Sequence, residues 1–325
     1  MIGLPATVPG RGRGRDANDG VAGVEQVCAA IVTYYPDVAE LRVALSTVSP
    51  QAGQVLIIDN ATVDDALEHL IHAPLPDNVT IIRNPANEGL GAAINRAAHW
   101  ADENGYRYLL LLDQDSAVYP DMVSELLGAY VELSAVWAVA AVGSRFVDAR
   151  NGQVAPFVRT GFPFNHKIHC ADAAIVECDF LISSGSLIPL PVLGRVGGMD
   201  ESLFIDSVDM EWCFRARRKG YHLFGVGAAQ MEHRIGDRVV SLPWGLGDVT
   251  VHSPVRLYYM MRNRLLLYRR AETPRVWIAQ DIPRLVLKLM RLSLFIAPRR
   301  KNAKYMLMGL RDGWRGVSGP VRADM

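Results

Sequence analysis

The stretch Leu109 to Ser116 reads LLLLDQDS, four leucines that run into two aspartates one residue apart. An unbroken apolar run without helical period reads as a strand buried on both faces, as in the middle of a parallel sheet. Asp113 and Asp115 then stand at its carboxyl end, the edge at which open α/β sheets bind ligands, and period-2 alternation turns both carboxylates to one side. Two hard oxygen ligands there suit Mg²⁺ or Mn²⁺ carrying a phosphorylated substrate. A second acidic group, Asp206, Asp209 and Glu211, opens a helix, where the dipole favours the anion. Capping uses one of the three. A base that takes a proton from an alcohol must be a carboxylate or a histidine, and Asp209 is the best placed. His233 stands alone at a strand end, either as a packed residue or as a third metal ligand beside Asp115.

Elements that alternate strand with helix position these groups. Val27 to Thr33 is a strand, Asp37 caps a helix through Val48 with Glu40 three residues on, and Val55 to Ile58 is a second strand ending at Asp59. Asp59 is either an N-cap or an acceptor for a base or ribose hydroxyl. A helix near Asp64 to Ile71 leads to the strand Val79 to Arg83. Asn87-Glu88-Gly89-Leu90-Gly91 then joins strand to helix, with Asn95 one turn in; glycines there let backbone approach a phosphate or base. The Leu109 strand is fourth, and the alternation predicts a doubly wound nucleotide-binding half. Beyond Asp115 come a helix from Asp121 to Leu133, a strand from Val136 to Val142, a loop-rich stretch Phe146 to Ala174 with room for a hairpin, and a strand Ile175 to Ile182. Ser183-Ser184-Gly185-Ser186 follows. A helix carries Asp209 and Glu211 at its start and stops at Gly220, and Tyr221 to Val226 is a strand that Met231-Glu232-His233 closes.

Half the residues are apolar and the formal net charge is zero, which describes a globular chain with a large core. The zero conceals a division. Residues 1–255 hold 18 Lys and Arg against 30 Asp and Glu, whereas residues 256–325 hold 16 against 4. An acidic body with a basic tail points to an anionic membrane surface as partner rather than nucleic acid. Cys28, Cys170, Cys178 and Cys213 show no metal or disulfide spacing, so reduced thiols are expected. No run is long enough for a membrane span, and residues 1–24 read as a disordered leader without the apolar centre of a signal peptide. A cytoplasmic protein, peripheral on the inner membrane face, is expected. From Pro254 the tail is one helix, and after Pro274 a second runs to about Ala297, with Asp281, Arg284, Lys288 and Arg291 as a polar stripe on an apolar cylinder. Such a helix either lies in a membrane surface or packs on the body or on a second copy in a homo-oligomer.

With IVTYYP, IDNAT, NEGLGAAIN, LLLDQDS, SSGSLI, FIDSVDMEWCFRARRKGY and the closing His of MEH in hand, the chain resembles glycosyltransferase family 2 enzymes of the GT-A fold. Within them it resembles the bacterial rhamnosyltransferases, through FIDSVDMEWCFR and SPVRLYYMMRN. The resemblance implies an α/β GT-A domain over residues 25–250, divided into a nucleotide-binding half (25–116) and an acceptor half (117–250), and a helical tail over 251–325 that meets membrane or another subunit. It implies inverting transfer of a sugar from a nucleotide-sugar donor, dTDP-L-rhamnose, to a lipid-linked or surface glycan acceptor. Carried over by position, Thr33, Asp59, Asn87, Gly89, Gly91, Asn95, Asp113 and Gln114 bind the nucleotide-sugar. Asp115 holds the divalent metal with His233 as partner, Asp209 is the general base, and Ser184, Gly185, Glu211 and Trp212 line sugar or acceptor. One departure is Val208-Asp209 where the wider family has an acidic pair. The competing readings are a UDP- or GDP-sugar donor and an aspartyl phosphotransferase using Asp113 and Asp115.

Overall fold

The computed structural model describes residues 22–63, 74–148, 152–172, 174–233, 238–241 and 248–321. The expected leader up to residue 21 and the helix near Asp64 to Ile71 lie outside the described residues. The first half is β1 (Val27–Thr33), α1 (Val38–Val48), β2 (Gln54–Asp59), β3 (Val79–Arg83), α2 (Leu90–Glu103) and β4 (Tyr108–Asp113). Asp37 caps α1 as its sequence predicts, accepting from the N–H groups of Ala39 at 2.8 Å and Glu40 at 3.1 Å. The strands lie in the order β3-β2-β1-β4 and are all parallel, with Thr33 beside Asp59 and Val32 beside Asp113. Register therefore delivers these residues to one edge.

The leucine run is buried on both sides. Leu109 and Leu111 join Cys28 and Ala30 in one core, while Leu110 and Leu112 join Val27, Ala29 and Ile31 in the other. Each fully buried leucine contributes about 1.5–3 kcal/mol, which fixes the register. The strand ends at Asp113, however. Gln114 and Asp115 form a turn closed by the Ser116 N–H on the Asp113 carbonyl at 3.2 Å, so the period-2 argument for two carboxylates on one side stops at the first.

The second half is β5 (Ala117–Val118), α3 (Met122–Ser134), β6 (Val139–Asp148), the hairpin β7 (Phe157–Arg159) and β8 (His166–Ile168), β9 (Ile175–Cys178), β10 (Ser186–Pro189), α4 (Leu190–Val196), α5 (Val208–Arg218), β11 (His222–His233), β12 (Arg238–Ser241) and β13 (Asp248–Val251). β10 inserts antiparallel between β4 and β6, and β11 runs parallel to β6, so the main sheet is mixed. Three expectations shift here. β6 begins later and runs further than Val136 to Val142, and the strand from Ile175 ends at Cys178. β11 is one strand, with a register shift between Val226 and Gln230 where the sequence reads as two pieces.

Three helices end the chain: α6 (Pro254–Tyr268), α7 (Arg275–Leu294) and α8 (Arg299–Arg315). A Cβ on Gly309 or Gly313 would collide with the carbonyl oxygens of Tyr258 or Arg262, so glycine lets α8 press onto α6. Leu257, Met261, Leu285, Leu292, Ile296 and Met306 make a core between the helices. The polar stripe expected on α7 is partly turned inward. Asp281 is buried and accepts from the Tyr268 hydroxyl at 2.6 Å with Arg264 at 3.3 Å. Burial lowers the Lys288 ammonium to about 8, with its Nζ 3.6 Å from Met260 Sδ. Ile282, Val286, Met290 and Leu294, spaced one per turn, are among the residues left exposed. Among the described residues no helix is long and apolar enough to cross a membrane.

Candidate active site

Asp59 anchors the first wall of the site. It is 1% exposed and accepts from the Thr33 hydroxyl at 3.0 Å, the Thr62 hydroxyl at 2.6 Å and the Thr62 N–H at 3.0 Å. Thr62 in turn accepts from the N–H of Tyr35 at 3.1 Å, and Gln114 accepts from that of Tyr34 at 2.9 Å. Tyr35 and Ala61 have φ of 48° and 60°. The loops after β1 and β2 are thus tied to each other and to the turn after β4, and the rings of Tyr34 and Tyr35 stand exposed at their tip, 4.6 Å apart edge to face. An aromatic pair on such an edge offers a face to a flat ring. Thr62 and the tyrosine backbone are additions to the residues read from sequence.

The glycine loop does a different task from an open cradle. Asn87 accepts from the Gly89 N–H at 3.0 Å. Gly89 has φ of 89°, and a Cβ there would come 2.6 Å from the carbonyl oxygen of Phe204, which accepts from the Leu90 N–H at 2.6 Å. Gly91 packs on the backbone of Asp200 and Glu201, where a Cβ would come 3.1 Å from the Asp200 carbonyl oxygen. Asn95 donates to Met199 O at 2.9 Å and to Glu201 at 2.8 Å, and accepts from the Met199 N–H at 2.7 Å. These residues fasten the first half of the molecule to the segment that precedes α5.

Between the halves lies the turn Ser183-Ser184-Gly185. The Asp113 N–H donates to Ser184 Oγ at 3.1 Å, Ser184 meets the buried Ser116 hydroxyl at 2.8 Å, and the Ser183 N–H donates to Asp209 at 3.2 Å. Gly185, at φ of 80°, donates its N–H to Leu111 O at 2.7 Å. One turn thereby touches both the end of β4 and the start of α5. Burial pushes the Asp209 carboxyl up to about 6; the N–H groups of Met210 (2.7 Å) and Ser183 oppose this, and the charges of Asp206 and Asp113 add to it. A carboxylate raised this far is suited to accept a proton near neutral pH.

The backbone leading into α5 is strained. Phe204, Asp206 and Ser207 have φ of 65°, 65° and 64°, a region that costs a non-glycine residue of order 1 kcal/mol or more each and persists only where the surroundings hold it. Asp206 is held by Arg256, whose Nε lies 3.3 Å from both carboxylate oxygens. Glu211 and Trp212 sit behind, both 2% exposed. Glu211 pairs with Arg215 at 2.9 Å through both oxygens, and the Trp212 indole donates to Gly197 O at 2.9 Å.

His233 ends β11 with its backbone opposite Asp148; its side chain lies outside the described residues. Among the described residues no group of three His, Cys, Asp or Glu is gathered for a metal. Mg²⁺ is ordinarily held by one or two carboxylates together with substrate phosphates. Asp113 and Asp115, hard donors in and beside a turn at the sheet edge, fit that mode.

A parallel four-stranded half, an antiparallel strand inserted beside it and carboxylates at the junction are the arrangement of the GT-A fold. The pattern of Glycosyl transferase family 2 matches residues 29–177. The dTDP-rhamnosyl transferase RfbF of Shigella flexneri is 30% identical over 303 residues, which is 91% of this chain and 98% of that relative. The crystal structure of GalNAc-T7 with UDP, GalNAc and Mn²⁺ superposes with a TM-score of 0.57 at 13% identity, over 90% of this chain and 56% of that one. The chain belongs to glycosyl transferase family 2, and it is a glycosyltransferase.

Proposed function

We propose that the enzyme transfers L-rhamnose from dTDP-L-rhamnose to a hydroxyl of a lipid-linked or surface glycan, with inversion and with Asp209 as general base. The observation that carries the mechanism is Asp209 itself. It is desolvated, raised toward neutrality and linked to Asp113 through Ser183 and Ser184. The choice of donor is supported by the relative named a dTDP-rhamnosyl transferase.

In this reading the nucleotide occupies the edge formed by Thr33, Asp59, Asn87, Gly89, Gly91 and Asn95, with Gln114 holding the tyrosine loop and Asp113 facing the ribose side of the diphosphate. Through their contacts with Met199 and Phe204, Asn95 and Gly89 shape that wall. Asp115, with His233 as partner, holds a divalent cation, in keeping with the Mn²⁺ of the GalNAc-T7 crystal structure. When bound, the cation supplies positive charge opposite the departing diphosphate. Asp209 accepts the proton of the acceptor hydroxyl as its oxygen bonds to the anomeric carbon. The bond to the diphosphate oxygen breaks on the opposite face through an oxocarbenium-like state, and the proton leaves Asp209 to solvent. With one base and no nucleophilic carboxylate, a single displacement inverts the anomer. Ser184 and Gly185 border the sugar, while Glu211 and Trp212 support α5 from behind.

The acceptor reading extends to the tail. The outward residues Ile282, Val286, Met290 and Leu294 of α7 form an apolar ridge, and Arg299, Arg300, Lys301 and Lys304 are exposed over the first turns of α8. Cations there oppose the helix dipole, whereas an anionic leaflet favours each by about 1 kcal/mol. The ridge and the cations together fit a peripheral attachment to the inner membrane face, where a lipid-linked acceptor presents its sugar.

A thermal-shift panel of dTDP-, UDP- and GDP-sugars with and without Mg²⁺ or Mn²⁺ tests the donor: stabilisation by dTDP-L-rhamnose with metal is expected, and stabilisation by a UDP- or GDP-sugar alone would replace it. NMR of the product anomer tests inversion. For the tail, replacing the four cations with Gln is expected to weaken sedimentation with anionic vesicles at low salt. Unchanged sedimentation would make the face a packing or oligomer element, and a concentration-dependent dimer would assign it to a second copy.

A further inference from the structure

Helix α6 reaches the segment before α5 with one face. Arg256, Tyr259 and Asn263, spaced three and four residues apart, share it. Tyr259 stacks on Phe204 with ring centroids 5.0 Å apart. Arg262 and Asn263 are both fully buried. The Asn263 Nδ2 lies 3.0 Å from Leu203 O, 2.7 Å from Ile205 O and 2.8 Å from Asp206 O, so its two hydrogens are shared among three carbonyls. Arg262 Nε donates to Asn263 Oδ1 at 2.9 Å, which fixes which end of the amide faces the loop, and Arg262 Nη2 donates to Leu203 O at 2.8 Å. The carbonyls so gathered belong to the stretch that contains the three residues at positive φ, and α5 starts at its end.

We infer that Asn263, oriented by Arg262, is a positioning residue for the general base: by holding the carbonyls of Leu203, Ile205 and Asp206 it fixes the left-handed turn from which α5 starts and so aims Asp209. A turn with three non-glycine residues at positive φ relaxes when its holding contacts are removed, and Asp209 lies two residues beyond Ser207. A displacement of about 1 Å at a reacting group can lower turnover by about 10²-fold. The turn touches the donor wall only where Phe204 O accepts from the Leu90 N–H, a carbonyl that Asn263 does not hold, so donor affinity should change far less than turnover. The inference rests on Asp209 being the base.

The test compares Asn263→Ala and Asn263→Asp with the parent and with Asp209→Asn. The aspartate keeps the volume and the bond to Arg262 but has no hydrogen for the carbonyls, and it serves if the alanine variant does not fold. Either folded variant is expected to lose about 10²-fold in kcat with donor KM within about threefold. Its ascending pH limb should move below about 6 as Asp209 gains water. The groups that face Asp209 are Asp206 with its partner Arg256, Asp113 from β4, Cys213 on α5 and the Ser183 N–H; none of them is altered. Adding Ser207→Gly, which removes the side-chain penalty at φ of 64°, should restore at least about tenfold in kcat, which a merely weakened fold would not show. A kcat within threefold of the parent, a loss shared equally by donor affinity, or no recovery with glycine would overturn the inference. Near-parental turnover of Asp209→Asn would instead overturn the assignment of the base, so the two failures are distinct.

Discussion

Asp59 and Asp209 are carboxylates turned inward on the two halves of one site, and they are held in opposite ways. Asp59 is surrounded by donors from its own sheet edge, two threonine hydroxyls and an amide, and it uses them to set the loops that carry Tyr34 and Tyr35. Asp209 receives two backbone N–H groups, faces other acids and is raised toward 6 by burial. The loop before it is braced from α6, a helix far along the chain. A carboxylate saturated by hydrogen bonds organises structure, whereas one left short of donors in a desolvated place keeps an appetite for a proton. In the proposed mechanism the difference separates the residue that would shape the donor wall from the residue that would act as base.

The largest effect expected from breaking this contrast is that of Asp209→Asn, which keeps shape and removes the base. Turnover should fall by about 10²-fold or more while calorimetry finds donor binding near the parental value. A parental rate would place the base elsewhere. Asp115→Asn should do the reverse, lowering Mg²⁺-dependent donor affinity to its metal-free level with the thermal midpoint in buffer unchanged; retained metal dependence would remove Asp115 from the ligand set.

A smaller effect is expected from pH. Turnover should rise by about tenfold per unit up to about 6 and then level off, as Asp209 loses its proton. The same shift has the opposite sign for stability. The folded state holds this proton more tightly than the unfolded chain, so the contribution is full below about 3.8 and is lost as pH rises through about 6. Relative to the parent, Asp209→Asn should therefore gain stability across that window in urea titrations, and a flat difference would contradict the raised carboxyl.

The smallest effect is expected on the other side of the comparison. Thr62→Val withdraws a hydroxyl from Asp59 and should cost about 1–3 kcal/mol of stability, read from the urea midpoint, without moving the pH limb near 6. A moved limb would mean that the two carboxylates are coupled through the loops, and the contrast between them would fail.

Much of this arrangement is legible in the order of residues. An apolar run too short and unperiodic for a surface helix has to be a buried strand, so LLLL followed by DQD places an acid at a sheet edge; Asp37 before α1 and Gly220 after α5 announce helix ends by their local chemistry. The four parallel strands and the family resemblance follow from such local signals. What the sequence could not decide is set by contacts between distant segments. Nothing local says that β4 ends at Asp113 and leaves Asp115 in a turn, that the glycines of NEGLG are needed because Phe204 presses on Gly89 and Asp200 and Glu201 on Gly91, or that Asp281 faces inward and leaves Ile282, Val286, Met290 and Leu294 outside. Composition and periodicity report how much apolar surface a segment must hide, but not which neighbour hides it. That choice belongs to tertiary packing, and through it the chain raises Asp209 by burial and holds the turn before it with Asn263.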